Sequence, residues 1–222
     1  MIVMNMFKVG LEGLYDSKTF RKQNTHGLNT LVFDCNPKSL QFVQAHTIIE
    51  ILKTAVIATN VVLKFHHEKS FMIDSLVNQI LKESSISSEN IQVWINADAE
   101  WLNQPTFNFK VIYGTFKTKN FLENQFFKGF VFDASDFENN YAQNSEQKVL
   151  VLLQLLKGKK YQHTLVLSPF DSLPMALIDY LEIGHFIVRI NADVEVCYRN
   201  VDQDKLSTCF TQLKKNLQSI HF

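Results

Sequence analysis

The sequence lacks a charge imbalance: its 22 Lys and Arg are matched by 22 Asp and Glu, so the formal net charge is zero. Without a broad positive field or an acidic tail, neither nucleic acid nor anionic lipid is an expected partner. Cysteine is scarce. Cys35, Cys197 and Cys209 are an odd number scattered along the chain, which suits a reducing compartment better than a disulfide framework, and the cytoplasm is the expected location. No run reaches the roughly 20 apolar residues that a membrane span needs. The apolar stretch Met1 to Gly10 contains Lys8 and has neither the basic start nor the small-residue cleavage site of a signal peptide. Also missing are a low-complexity linker and a Gly-rich turn after the first apolar run. The second absence makes a doubly wound nucleotide-binding sheet the second choice of architecture.

What is present is an alternation. Of the 222 residues 46% are hydrophobic, enough to bury one substantial core, and residues 1–222 read as a single domain. Eight short apolar runs recur, each bounded by polar residues: Met6–Val9, Thr30–Asp34, Asn60–Phe65, Asn90–Ile95, Phe109–Tyr113, Gly129–Asp133, Thr164–Leu167 and Phe186–Ile190. They are nearly continuous in hydrophobicity, as strands covered on both faces must be. Between them helical spacing predicts Val43–Ala58, Ser70–Glu83, Glu146–Leu156, Leu173–Leu181 and Gln203–Ser219, with shorter helices near Ala97–Leu102 and Lys119–Asn124. In the third unit Phe71, Ile73, Leu76, Val77, Ile80 and Leu81 form the stripe expected to pack, with Asp74, Asn78 and Lys82 opposite. Eight such units in one domain predict an α/β fold, a (β/α)8 TIM barrel with short connections.

Particular residues then resemble a family. Phe7-Lys8-Val9-Gly10-Leu11, followed by the segment from Gly27 through Asp34 and Cys35 into Pro37-Lys38-Ser39, is similar to the opening of phosphoribosylanthranilate isomerase. That family has a Lys-Ile-Cys-Gly-Leu strand and a Pro-Lys-Ser loop. Ile91-Gln92-Val93-Trp94 resembles its Val-Gln-Leu-His strand, and Gly129 to Asp133 resembles the strand that ends in its catalytic Asp. The resemblance spans nearly the whole chain. It implies a cofactor-free Amadori rearrangement of a phosphoribosyl aminobenzoate in tryptophan biosynthesis, run by a Cys base and an Asp acid.

The chain departs from that pattern at the residues that matter. On this correspondence Val9 stands at the position of the base and cannot accept a proton, while Asp133 occupies the acid position. Gln41 replaces the family's loop Arg, and Trp94 replaces its His. In the phosphate-binding loops Ser168, Pro169 and Phe170 stand near the Gly-Gly after strand seven, and Asn191, Ala192 and Asp193 near the Ser-Ser-Gly after strand eight; the loop after strand six reads Asn139-Asn140-Tyr141-Ala142. Proline has no N–H to offer an anion, and an unscreened aspartate a few ångströms from phosphate costs on the order of several kcal/mol.

Each candidate has a plainer reading. Asp133 is either a surviving acid or a strand-end polar group, the second favoured because a barrel carboxylate is catalytic only when partners converge on it. Cys35 is either a relocated nucleophile or a small buried hydrophobe. His66-His67-Glu68, with Asp34, Asp98 or Asp133, has the residue types for a divalent metal. Adjacent histidines in an extended chain point to opposite sides, however, so no metal is expected. Asp34, Asp98, Asp171 and Asp193 near strand ends suggest an acidic top face able to meet a cation or a basic partner, or caps for the following helices. Trp94, Trp101, Phe170 and Tyr141 read as fillers of a vanished pocket. Three functions follow: a catalytically degenerate isomerase homologue kept as a binding or scaffold protein, a barrel enzyme with altered chemistry on an unphosphorylated small molecule, or a divergent active isomerase. The oligomer expected is a monomer or homodimer.

Overall fold

A computed structural model describes residues 7–55, 59–66, 68–96, 110–114, 127–135, 154 and 162–220. Eight strands follow one another: β1 Lys8–Glu12, β2 Thr30–Asp34, β3 Asn60–Lys64, β4 Ile91–Asn96, β5 Lys110–Gly114, β6 Phe127–Asp133, β7 Gln162–Leu167 and β8 His185–Arg189. All neighbours pair in parallel, and β8 returns to pair with β1, which closes the sheet. The helices are α1 Ser17–Gln23, α2 Ala45–Leu52, α3 Ser70–Glu83, α4 Met175–Leu181 and α5 Gln203–Gln218. A small antiparallel hairpin, β9 Glu195–Cys197 and β10 Asn200–Val201, lies between β8 and α5. The expected helices 97–102, 119–124 and 146–156 lie outside the described residues, apart from residue 154.

Two apolar clusters explain why the strands are hydrophobic throughout. Val32, Val62, Trp94, Val166 and Ile187 come one from each of five strands and touch each other inside the barrel. The alternate residues Leu11, Phe33, Leu63 and Val188 belong to a larger cluster with Phe20, Ile48, Val77, Leu206 and Phe210 of the helices. A strand residue therefore faces either the interior or the helical jacket, according to its parity. Gly10 and Gly129 are required where strands approach most closely. A Cβ on Gly10 would stand 2.5 Å from Ile187 Cδ1 and 2.6 Å from the Thr30 carbonyl oxygen, and one on Gly129 would collide with the Gln162 carbonyl.

The first strand departs from expectation. It runs from Lys8 to Glu12, not Met6 to Val9, so its carboxyl end is Glu12. The expected strand stops at Val9, one residue short of Gly10 and three short of Glu12. Here Gly10 is the small residue that lets β1 approach its neighbours, and Glu12 is a buried interior side chain. The second helix is also shorter than Val43–Ala58. Phe42 bridges to Asp34 and the Val43 amide donates to the Asp34 carbonyl at 2.8 Å, so this stretch is held extended until Ala45. In α3, Ile73, Val77 and Ile80 are buried as expected, but Phe71 in the first turn is exposed.

Candidate functional site

In a parallel barrel the carboxyl ends of the strands and the loops after them form the mouth, where side chains from different strands converge. Here the convergence is ionic. Glu12 at the end of β1 is completely buried. Its Oε1 accepts from Lys64 Nζ of β3 at 2.9 Å, and its Oε2 accepts from Arg189 Nε of β8 at 2.9 Å. Arg189 then donates from Nη1 to Asp133 Oδ2 of β6. The other Asp133 oxygen accepts from the Ser135 amide at 3.1 Å. The chain Lys64–Glu12–Arg189–Asp133 alternates in sign and sums to zero. Burial by itself would raise the Glu12 carboxyl, but the charges and hydrogen bonds of Lys64 and Arg189 outweigh it, and the group is held below its ordinary range. Arg189 is likewise depressed by burial alone, yet Glu12 and Asp133 drive it upward, so it stays charged.

Beside this network lies Asp34 at the end of β2, opposite Lys64 in the sheet. Its Oδ1 accepts from the Asn36 amide at 2.9 Å, and Oδ2 is 3.9 Å from His66 Nε2. Burial pushes Asp34 up; His66, the Asn36 amide and Ser39 more than offset this and lower it. Glu68 accepts from the His66 amide at 2.6 Å. Among the described residues no three His, Cys, Asp or Glu side chains gather in a way that would hold a metal ion; His67 and Asp98 lie outside them.

The other sequence candidates fall as follows. Val9 does not face the mouth: it packs in the helix-facing cluster near the start of β1, because Gly10 and Glu12 take the interior parity. Cys35 is buried on the jacket side of the sheet. Burial, then Asp34 and Glu68, push its thiol well up, which favours the protonated form. Trp94 fills the barrel interior between Val32, Val62, Val166 and Ile187, and its indole Nε1 has no acceptor among the described residues. Gln41 donates from Nε2 to the Ile190 carbonyl at 3.0 Å and ties the loop after β2 to the end of β8.

Ser168 opens a turn in which the Asp171 amide donates to the Ser168 carbonyl at 3.1 Å. The Ser168 amide in turn donates to Asp171 Oδ2 at 2.8 Å. Phe170 inside that turn has φ of 66°, a left-handed conformation normally given to glycine. The Ser168 amide is thus taken by a carboxylate. Asn191 is similarly occupied: its Nδ2 donates to Asp193 Oδ2 at 2.9 Å and its Oδ1 accepts from the Asp193 amide at 3.0 Å. Trp101, Tyr141 and residues 139–142 lie outside the described residues.

Three members of the ionic chain, Glu12, Lys64 and Arg189, escaped the sequence reading. The signal was a single charge inside an apolar run, as in Val-Val-Leu-Lys-Phe and Phe-Ile-Val-Arg-Ile. In a strand covered on both faces such a charge must point inward and meet a counter-charge there.

No protein-family model matches the sequence, and no curated protein matches it either. Solved structures do. A phosphoribosylanthranilate isomerase in complex with reduced 1-(o-carboxyphenylamino)-1-deoxyribulose 5-phosphate shares 16% identity, with a TM-score of 0.66 over 95% of this chain and 100% of that one. The isomerase from Thermus thermophilus shares 13%, with a TM-score of 0.67 over 95% and 100%. An HpcH/HpaI aldolase from Desulfitobacterium hafniense also matches, at 11% and a TM-score of 0.59 over 97% and 94%, so these likenesses speak to fold and not to reaction. In fold, the chain is a divergent phosphoribosylanthranilate isomerase-like α/β barrel.

Proposed function

We propose that this chain is a single-domain (β/α)8 barrel of the phosphoribosylanthranilate isomerase kind that has lost the isomerase reaction and works without a cofactor, in the cytoplasm, as a binding or scaffold protein. One observation carries the reading: Glu12 and Asp133, the two carboxylates of the ionic chain at the mouth, are each bonded to cations of the same chain. Proton transfer needs one group ready to accept and another ready to give. Glu12 is buried, doubly paired and held low, which makes it a poor base near neutral pH. Asp133 spends both oxygens on Arg189 and the Ser135 amide, and a proton on Oδ2 would displace the Arg189 bond. The would-be phosphate end is taken by Asp171 on the Ser168 amide and by Phe170. Expression in a tryptophan auxotroph lacking the isomerase tests this: the reading expects no growth without tryptophan, and growth would overturn it.

The altered-enzyme reading has one observation in its favour. Lys64 and Arg189 are each about a quarter exposed at the mouth, so a small unphosphorylated anion has a route to them. Thermal shift with such compounds separates the two readings, because a ligand at about 100 times its Kd stabilises by about 2.7 kcal/mol.

A further inference from the structure

β1 is the strand on which the barrel closes, with β2 on one side and β8 on the other. A contact between the loops that follow β2 and β8 therefore spans the carboxyl end of β1. Three side chains make that contact. Gln41 donates from Nε2 to the Ile190 carbonyl at 3.0 Å. Tyr198 donates from its hydroxyl to the Leu40 carbonyl at 2.9 Å. Arg199 donates from Nη2 to the Phe42 carbonyl at 2.7 Å. Its guanidinium also lies 4.7 Å from the centre of the Tyr15 ring, in the loop after β1, and 5.1 Å from that of Tyr198. Arg199, itself in the connection after β8, thus touches the loops after both β1 and β2.

The hairpin is held differently at its two ends. Its base is anchored in the core: Val194 and Val201 are buried, and the Asp202 amide donates to the Val194 carbonyl at 2.7 Å. Its tip is not. Val196 and Tyr198 are exposed, and among the described residues no backbone hydrogen bond joins 195–201 to 36–43. The tip is fastened by side chains alone, and such bonds at the surface open at far less cost than a packed core. Arg199 is also the point of strain. Its φ of 62° is left-handed, a conformation that a non-glycine residue keeps only where its surroundings impose it. Those surroundings are the Phe42 carbonyl, the two tyrosine rings and Glu195, whose Oε1 accepts from the Arg199 amide at 3.3 Å. A fixed base, a tip tied only by side chains and a strained residue at the tie are the parts of a hinge and a latch.

We infer that the β9–β10 hairpin and the loop after β2 form one lid over the carboxyl end of β1, latched by Arg199, and that they open and close together. Opening uncovers Tyr15 on the β1 side of the mouth, next to the ionic chain at Glu12. The lid does not depend on whether the barrel catalyses.

Arg199→Gly removes the latch and leaves a residue that accepts the left-handed backbone, so it isolates the side chain. Hydrogen exchange of the whole protein, read by mass spectrometry, is expected to speed up by at least about fivefold in residues 36–43 as well as in 191–201, with β2 and β8 unchanged. Gln41→Ala, on the other loop, is expected to speed exchange in 191–201. Nitration by tetranitromethane reads the opening itself: Tyr15 is expected to react at least about threefold faster in Arg199→Gly, with Tyr180 as the reference ring. The sign of that change is diagnostic. Burial and Glu195 push the Tyr15 phenol up to about 12, and Arg199 pulls it down. Loss of the Arg199 charge alone would raise the phenol further and slow its reaction, so faster nitration reports loss of cover. Tyr198→Phe removes a hydroxyl and no charge; it is expected to move both readouts the same way by less, and it carries the test should Arg199→Gly disturb the core strands. Faster exchange confined to 191–201, Tyr15 nitration that is unchanged or slower, or a hairpin indifferent to Gln41→Ala would each overturn the inference. Isomerase turnover on the same preparations judges the non-catalytic reading separately.

Discussion

Glu12 has no contact with solvent, and a different cation holds each of its oxygens. A carboxylate in that position is tolerated because its partners come from two other strands and are fixed by the sheet register, Arg189 opposite Glu12 and Lys64 opposite Asp34. Removing Arg189 takes from the buried Glu12 one of its two cations. Arg189→Met is therefore expected to destabilise the fold by about 3 kcal/mol, seen as a lower urea midpoint. Asp133→Asn, at a half-buried position, costs less. These residues also show why the site was only partly legible. Asp133 is visible as a strand-end acid, but its partners are not: Glu12 lies beyond the expected strand Met6–Val9, and Arg189 is a single charge inside the apolar run Phe186–Ile190. The register of β1, displaced toward Glu12, moved the mouth position from Val9 to a carboxylate.

At the amino end of the same interior, His185 bridges two threonines: its Nδ1 is 2.9 Å from Thr164 Oγ1 and its Nε2 is 3.0 Å from Thr30 Oγ1. Burial, with a smaller contribution from Lys8, lowers His185 to about 4, and burial lowers His163 to about 4. In the unfolded chain each ring takes up its proton near pH 6.5. Between pH 6.5 and 4 the unfolded state therefore binds more protons, and acid favours it. Stability is expected to be level above pH 7 and to fall by about 2 kcal/mol per ring by pH 5. Below about pH 4.5 Glu12, whose folded form stays ionised longer, adds to the loss as its pairing is titrated away. Urea denaturation at pH 7.5, 6 and 5 checks this; a flat profile would contradict the burial of both rings.

The elements were easier to read than the site. A run of Val, Ile, Leu and Phe is sufficient to place β2, β3 and β8 within a residue or so, because both strand faces are buried and no alternation is needed. Helix starts were harder. Val43 and Leu173 have helical spacing, yet the loop after β2 is bonded back to Asp34, and α4 begins only after Pro174. Phe71 has the spacing of the packed stripe, but in the first turn of α3 it is exposed. Glycine carried information the reading missed: at Gly129 the backbone of β7 is so close that any side chain must displace it. Gly129→Ala is expected to cost about 3 kcal/mol or more in a thermal or urea melt, the larger end of overpacking effects.

For the whole molecule, the eight parallel strands and the isomerase-like fold agree with the alternation of apolar runs and helical segments along the chain. The distribution of surface follows the same axis. Ionic groups close on themselves in the mouth, apolar side chains crowd its rim, and the opposite end is polar among the described residues. On the proposed function, the mouth of this barrel binds a partner and does not carry out the isomerisation. The most direct test of that account is an isomerase assay on the purified protein with N-(5′-phosphoribosyl)anthranilate, following loss of substrate fluorescence. The account predicts no turnover above the rate without protein; turnover that disappears in the Glu12→Gln or Asp133→Asn variant would contradict it.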